Sequence, residues 1–197
     1  LNYNEEQVML REQIQKFCES DYDFYKREEI VKSSDDFDPN VWKLFSDQGW
    51  LSMSFSEETG GLGFGPIELS ILFEEFGKSL VIEPYLATVV LSGSLLDKSS
   101  YPNKNNLIEK ICNGEIHISF AYAEASKSYD YFSCETSLDS KNILNGTKTL
   151  VLNGANSNKL IVTCSTDNEY KIVILDSDTK GVSINSFSTV DGQSCAE

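Results

Sequence analysis

The sequence predicts an α+β fold in which a helical N-terminal half precedes a β-rich C-terminal half. Up to residue 114, apolar residues recur at helical spacing between helix caps and glycines. From Ile116 onward the apolar runs are short, rich in β-branched and aromatic residues, and separated by Asn-Gly and similar turn signals. Because the spacing of apolar residues changes once, from helical to strand-like, we expect two packed domains, with helices in residues 1–116 and strands in residues 117–197.

Each predicted helix has its own start or stop signal. Asn4 and Gln7 form a capping box before the first helix, and Asp38 precedes a short helix that Gly49 ends. The helix predicted over residues 66–78 begins at a proline and is apolar on almost every side, which is typical of a buried helix. Two further helices are predicted, over residues 84–97 and 106–112.

The second half contains short runs that predict strands. Asn145-Gly146 and Asn153-Gly154 mark turns beside the second run. The predicted strands are residues 116–123, 144–152, 160–164 and 170–175.

A glycine-rich turn lies between two of the helices. Residues 57–63 read Glu-Glu-Thr-Gly-Gly-Leu-Gly, a composition that requires positive φ or close backbone approach. Glu57 and Glu58 resemble a paired-carboxylate site, but we favour a solvated turn for them.

Composition and charge exclude several classes of function. A net charge of −15 and a pI near 4.4 argue against nucleic acid and anionic membranes as partners. No run of 18 apolar residues predicts a membrane span. The five cysteines are scattered without a Cys-x-x-Cys pair, which indicates reduced thiols in a cytoplasmic protein.

We predict no metal site and no histidine-based catalytic triad. His117, the single histidine, falls in an apolar run and is interpreted as structural. Asp35, Asp36 and Asp38 lack the spacing of a calcium loop and are interpreted as a loop and a helix cap. The chain begins at Leu1 and ends without a cap or turn, so we expect a piece of a longer protein.

A set of short motifs resembles the acyl-CoA dehydrogenase family in the family's own order over essentially the full length of the chain. The turn at 57–63 is similar to that family's Pro-Glu-Glu-Tyr-Gly-Gly-Leu-Gly. Residues 81–91 and 189–193 also resemble the bacterial small-subunit branch, such as the small subunit of pimeloyl-CoA dehydrogenase, in which two unlike chains form the enzyme. The remaining matching motifs are Gly49-Trp50-Leu51, Phe73-Glu74-Glu75-Phe76-Gly77, Asn113-Gly114-Glu115, Leu144-Asn145-Gly146-Thr147-Lys148 and Asn153-Gly154.

The resemblance implies an N-terminal helical domain, a middle β-barrel-like domain and a C-terminal helical domain that this chain lacks. It implies an FAD enzyme of fatty acid metabolism that introduces an α,β double bond into an acyl-CoA thioester. In the family the general-base glutamate lies in the C-terminal domain, so no catalytic residue is assigned here, and this chain alone is expected to be inactive. The resemblance also implies a homo- or hetero-tetramer with an electron acceptor that the sequence does not identify.

The family's first flavin-binding motif, Leu-Thr-Glu-Pro-x-x-Gly-Ser-Asp, matches residues 122–130 with changes. By resemblance, Phe120, Tyr122 and Ala123 would contact the flavin through main-chain groups, which survive substitution. Ala123 replaces a flavin-contacting Thr, and Tyr129 replaces a Ser that contacts flavin and substrate. Ser128 and Tyr129 are the implied substrate contacts, and Tyr129 is also an implied flavin contact.

The family's second flavin-binding element corresponds to Leu150, Val151 and Leu152. Here both the aromatic residue that packs on the flavin and the hydroxyl that bonds to it are absent, so a simple buried strand remains an equal alternative. Because both sets of changes fall on cofactor contacts, the alternative function is a non-catalytic partner subunit with a degenerate flavin site. Lys127 and Lys148 could contact a phosphate, but we expect Lys148 to be a solvent-facing strand residue.

Overall fold

Helices come first along the chain and strands follow in the computed structural model, which confirms the predicted fold class. By their contacts the residues form two compact units, Leu1–Glu83 with Ser94–Glu115 and Pro84–Gly93 with Ile116–Glu197. The residues that the structure describes are 2–33, 36–127, 134–167 and 169–197.

The first unit is helical, and polar side chains begin its helices. The capping box is confirmed, because Asn4 Oδ1 accepts from the Gln7 N–H at 2.8 Å and Gln7 Oε1 accepts from the Asn4 N–H at 3.1 Å. Asp38 caps the third helix by accepting from the Asn40 N–H at 2.8 Å. The helices are α1 (Glu5–Ser20), α2 (Phe24–Val31), α3 (Pro39–Asp47), α4 (Pro66–Ser79), α5 (Ser94–Lys98) and α6 (Lys104–Cys112).

A cluster of buried aromatic rings forms the centre of the helical unit. Phe45 stacks on Phe76 with ring centroids 5.1 Å apart, and Phe17 meets Phe45 edge-on at 5.3 Å. Trp50 lies 5.2 Å from Phe45 and closes the cluster. Offset and edge-to-face pairs of this kind stabilise a core beyond the burial of their area, so α1, α3 and α4 are held on one nucleus.

Helix α2 was not predicted, and its composition explains why. Ile30 is its one buried residue, while Phe24 and Tyr25 are exposed, so the helix presents no apolar face with a 3.6-residue period. Its start signal is Asp23, whose side chain accepts from the Lys26 N–H at 2.7 Å.

The glycine-rich turn is a single 3₁₀ turn, and its two glutamates are exposed as expected. Gly60 adopts φ +90°. Gly61 is required by close approach, since a Cβ there would lie 2.1 Å from the Phe55 carbonyl oxygen. Asp97 ties the turn to α5 by accepting from the Thr59 hydroxyl at 2.6 Å.

The second unit is built from two small sheets. The five-stranded sheet has the order β1-β5-β2-β3 with β6 paired to β5, and the three-stranded sheet has the order β4-β8-β7. Strand β5 is central, since it pairs in parallel with β1 and antiparallel with β6. The strands are β1 (Ile118–Ala121), β2 (Ser137–Leu138), β3 (Leu144–Asn145), β4 (Val151–Leu152), β5 (Lys159–Ser165), β6 (Tyr170–Asp176), β7 (Ser186–Ser188) and β8 (Ser194–Ala196).

Two predicted elements are divided in the structure. The segment expected as one helix over 84–97 is a π-helix at Leu86–Gly93 followed by α5, and the Ser92 hydroxyl donates to the Ala87 carbonyl five residues earlier. The strand expected over 144–152 is interrupted, because Leu150 takes the left-handed conformation with φ +53°. Its ends become β3 and β4, which belong to different sheets.

A buried carboxyl group lies at the end of the first unit's longer segment. Glu83 is only 5% exposed, and burial raises its pKa to about 7. Neither carboxylate oxygen of Glu83 has a hydrogen-bond partner among the described residues, and the nearby Asp38 charge raises the pKa further. The Tyr22 hydroxyl accepts from the Ile82 N–H at 3.2 Å. Glu83 is therefore a source of pH-dependent stability.

The close approach at the glycine turn gives a first prediction. Gly61→Ala should destabilise the protein by about 2–3 kcal/mol, since the new methyl group meets main-chain atoms that cannot move alone. Gly77→Ala is the matched control, because its Cβ would meet nothing within 4 Å and alanine favours a helix by about 0.5–1 kcal/mol. Urea unfolding of both variants tests this, and equal destabilisation by the two would contradict it.

The burial of Glu83 gives a second prediction. Its folded pKa of about 7 lies above the ordinary value of 4.5, so its contribution is complete below pH 4.5 and is lost as pH rises through 7. Over that range the wild type should lose about 3 kcal/mol that Glu83→Gln does not lose. Urea unfolding at pH 5 and pH 8 measures the difference. Glu58→Gln, on the exposed turn, should follow the wild type, and a parallel loss in Glu83→Gln would contradict the prediction.

Candidate functional site

The first predicted flavin-contacting segment lies on one outer face of the β unit. Because side chains alternate along a strand, Ala121 points into the core while Phe120 and Tyr122 point away from it. The two rings lie 5.1 Å apart, and Tyr122 is 38% exposed. The segment thus presents two adjacent aromatic rings on this face.

The second predicted segment lies directly beside the first. The Thr149 N–H donates to the Ala123 carbonyl at 2.9 Å, and the Ser119 hydroxyl donates to the Leu152 carbonyl at 2.7 Å. Leu150 is 58% exposed in its left-handed conformation, and such conformations concentrate at functional sites. The structure therefore brings together two segments that are 27 residues apart in sequence, Ala123 and Leu150.

Val151, another predicted site residue, does not lie on the outer face. The Val151 side chain is buried in the core with Ala121, Leu160 and Val162, so it does not belong to the outer face. Ser128 and Tyr129 fall outside the described residues.

The expectation for Lys148 is wrong, because its side chain is buried and only 8% exposed. Lys148 Nζ lies 2.7 Å from Glu124 Oε1 and also donates to the Thr163 hydroxyl at 2.9 Å and to the Tyr122 carbonyl at 3.4 Å. Strand alternation did not reveal this position, since the partner carboxylate comes from a loop 24 residues away. Lys127, the other lysine named from the sequence, forms an ion pair with Glu135 at 3.6 Å.

Glu124 is surrounded by donors. Its Oε2 accepts from the Glu135 N–H at 2.6 Å, and its Oε1 accepts from the Thr136 N–H at 2.9 Å and the Thr136 hydroxyl at 2.6 Å, besides the contact with Lys148. Burial acts to raise the pKa of Glu124, but these donors together hold it at about 2. A carboxylate of this kind stays ionised at neutral pH and is a poor proton acceptor.

Close packing just after β3 accompanies this network. Gly146 lies directly against Thr136, since a Cβ on Gly146 would be 2.5 Å from the Thr136 hydroxyl. The turn predicted at Asn145-Gly146 is not found there, because Asn145 belongs to β3 and the turn between β2 and β3 lies at residues 139–143. His117 lies apart from the outer face, buried beside Asn158, and burial lowers its pKa to about 4, which agrees with a structural role.

The β unit also contains a half-open cavity of about 480 Å³. Apolar side chains, including Leu144, Val162 and Leu175, form much of its wall, and Lys148 and Thr136 lie at its polar part.

Neither a metal site nor a membrane helix is found in the part of the chain that the structure describes. No group of three His, Cys, Asp or Glu side chains there could hold a metal ion. None of the helices among the described residues is both long and apolar enough to cross a membrane.

Comparison with known proteins gives a consistent result. Residues 4–115 match the family model described as acyl-CoA dehydrogenase, N-terminal domain. The acyl-CoA dehydrogenase FadE29 of Mycobacterium tuberculosis is 28% identical over 161 residues, which cover 77% of this chain and 42% of that protein.

Two solved structures share the fold over nearly the whole chain. A glutaryl-CoA dehydrogenase of Mycobacterium smegmatis in complex with FADH2 superposes with a TM-score of 0.87 at 17% identity, covering 98% of this chain and 52% of that one. The ChsE4-ChsE5 complex of Mycobacterium tuberculosis superposes with a TM-score of 0.86 at 22% identity, covering 99% and 54%. The chain thus spans about half the length of these relatives, and at these identities the structures show the fold alone.

The electrostatics of Glu124 give a third prediction. Its folded pKa of about 2 lies below the ordinary 4.5, so its contribution to stability is present above pH 4.5 and is lost as pH falls through 2. The stability advantage of the wild type over Glu124→Gln should therefore shrink by an amount on the order of 3 kcal/mol between pH 6 and pH 2. Urea unfolding across this range measures it, with Glu57→Gln as the exposed control. A constant difference across the range would contradict the prediction.

Proposed function

Because the chain belongs to the acyl-CoA dehydrogenase family, we propose that it forms the helical and middle domains of an FAD-dependent dehydrogenase. The reaction is the α,β-desaturation of an acyl-CoA thioester in fatty acid metabolism, in a cytoplasmic enzyme. The observation that carries the proposal is the outer face, where the exposed Tyr122 and Leu150 lie on two segments joined by the Thr149 to Ala123 hydrogen bond.

The residues on this face fit a flavin through main-chain and apolar contacts. The Ala123 main-chain N–H makes no hydrogen bond to any described residue, and we propose it as a donor to the flavin. Phe120, Tyr122 and Leu150 supply apolar and aromatic surface beside it. Ala123 and Leu152 offer no hydroxyl, so side-chain hydrogen bonds at these two positions are absent.

When bound, FAD would supply the redox chemistry by accepting a hydride. The residues of this chain would bind and orient it: the Ala123 N–H would donate a hydrogen bond, and the neighbouring apolar side chains would exclude water. Glu124 is not a candidate for the base that removes the substrate proton, since its pKa is about 2 and its oxygens are saturated with donors. The base would come from the C-terminal helical domain of the family, so this chain alone would be inactive.

The proposed enzyme is a homo- or hetero-tetramer that takes an acyl-CoA and passes electrons to an acceptor. A mixed assembly has a parallel among the structural neighbours, one of which is a complex of two chains, ChsE4 and ChsE5.

The deciding experiment is the visible absorption spectrum of the full-length product of the gene, purified alone. We expect the bands of a bound flavin and their bleaching on addition of an acyl-CoA. A colourless protein that gains flavin only with a second homologous subunit would contradict the proposal and support the non-catalytic partner subunit. Absence of flavin under both conditions would contradict a flavin site altogether.

The missing hydroxyl gives a fourth prediction. Ala123→Thr restores the residue type that the family places there and should tighten FAD binding about three- to tenfold, the effect of one hydrogen bond. Ala125→Thr adds the same group on an exposed turn two residues away and should have no effect. Titration of the flavin-free protein with FAD, followed by flavin fluorescence, measures both. Equal tightening by the two variants, or none by Ala123→Thr, would contradict the assignment of this position.

A further inference from the structure

We infer that the buried ion pair of Glu124 and Lys148 is a positioning device that turns the Ala123 main-chain N–H toward the outer face. The inference rests on the proposed function, because that N–H is the donor offered to the flavin. Neither residue of the pair touches the ligand in this account; both act through the main chain.

The geometry of one peptide unit supports this inference. The Tyr122 carbonyl and the Ala123 N–H belong to the same planar peptide, and since the described chain contains no cis peptide bond, they point in opposite directions. Lys148 Nζ donates to the Tyr122 carbonyl at 3.4 Å, and the Thr163 hydroxyl donates to it at 3.5 Å. Both donors are buried, so they hold the carbonyl toward themselves and direct the N–H away from them.

The next carbonyl along the chain is held from the same segment, between β3 and β4. The Thr149 N–H donates to the Ala123 carbonyl at 2.9 Å. Two consecutive carbonyls, of Tyr122 and Ala123, are therefore fixed by two consecutive residues, Lys148 through its side chain and Thr149 through its main chain. This arrangement restricts rotation of both peptide planes that flank Ala123.

Glu124 determines where the ammonium group lies. Lys148 Nζ is 2.7 Å from Glu124 Oε1, and Glu124 is itself fixed by the N–H groups of Glu135 and Thr136. Lys148 thus cannot swing away from the Tyr122 carbonyl without leaving a buried carboxylate unpaired. Glu124 thus holds Lys148 in place, and Lys148 holds the Tyr122 carbonyl.

Stability alone is a weak reason for such a pair. Desolvation of two charges offsets much of their attraction, and well-packed uncharged residues of similar size often replace a buried ion pair without loss. Uncharged replacements would lose the donor to the Tyr122 carbonyl. Loss of that donor affects the peptide before Ala123 even where stability is unchanged, which distinguishes a positioning role from a structural one.

The test compares two double variants of the full-length protein. Glu124→Gln with Lys148→Met removes both charges and leaves no unpaired buried ion. Lys159→Met with Asp176→Asn removes a more exposed ion pair that joins β5 to β6 in the same unit. We expect about tenfold weaker FAD binding and an altered visible flavin spectrum for the first pair, and no change in either for the second.

A second readout does not depend on the flavin. In the flavin-free protein, amide hydrogen exchange of the segment 120–124 should speed up in the Glu124→Gln/Lys148→Met variant and not in the control. If the wild-type protein binds no FAD but exchange over 120–124 is still faster in the double variant, the positioning role is supported and the proposed function fails. Unchanged exchange together with wild-type FAD binding would overturn the inference.

Thr163→Val keeps the test decisive if the double variant does not fold. It removes one acceptor of Lys148 and one donor to the Tyr122 carbonyl while keeping the side-chain shape and both charges. We expect FAD binding about threefold weaker and faster exchange over 120–124. A Thr163→Val protein with wild-type values in both measurements would overturn the inference.

Discussion

Glu124 is a carboxylate inside the β unit, and much of that unit is arranged to supply it with donors. Its side chain is only 4% exposed, so each of its oxygens needs hydrogen bonds that water cannot give. The donors come from the segment before β2 and from Lys148 in the segment after β3, which are separate in sequence. Satisfying one charge therefore links the ends of β1, β2 and β3, and the outer face depends on those links.

The pairing of Lys148 with Glu124 determines which groups the outer face presents. Lys148 is turned inward and paired with Glu124, so Tyr122 and Leu150 offer main-chain groups and apolar or aromatic side chains to a ligand on this face. Side chains alternate between the two faces of a strand, so Ala121 and Val151 fill the core while their neighbours face outward. A ligand bound here would be recognised by shape and by main-chain donors, which suits a large planar ring better than a phosphate.

The sequence predicted local features well and long-range ones poorly. The capping box at Asn4, the cap at Asp38 and the glycine turn were all predicted, because each depends on residues within a few positions of one another. Helix α2 was missed, since its burial comes from tertiary contacts at Ile30 and not from an amphipathic pattern. The burial of Lys148 was missed for a related reason, as its partner is 24 residues away.

The same distinction applies to the candidate site. The resemblance identified Ala123 and Leu150 as members of two motifs, but no local rule places them side by side. That adjacency depends on the Thr149 to Ala123 hydrogen bond and on the left-handed conformation of Leu150, which strand propensity disfavours. The motifs thus gave the residues, whereas the relation between them comes from the fold.

The substitutions at this site affect flavin binding less than the sequence alone suggests. The direction of the Ala123 N–H is set by the planar peptide and by the groups that hold the Tyr122 carbonyl, and replacing Thr by Ala changes neither. Each lost hydroxyl contact removes about 1 kcal/mol, so two reduce affinity about 30-fold. A cofactor as large as FAD makes many other contacts, and a 30-fold loss weakens such binding without abolishing it. These contacts favour a chain that still holds its own flavin, as proposed, over a degenerate partner subunit.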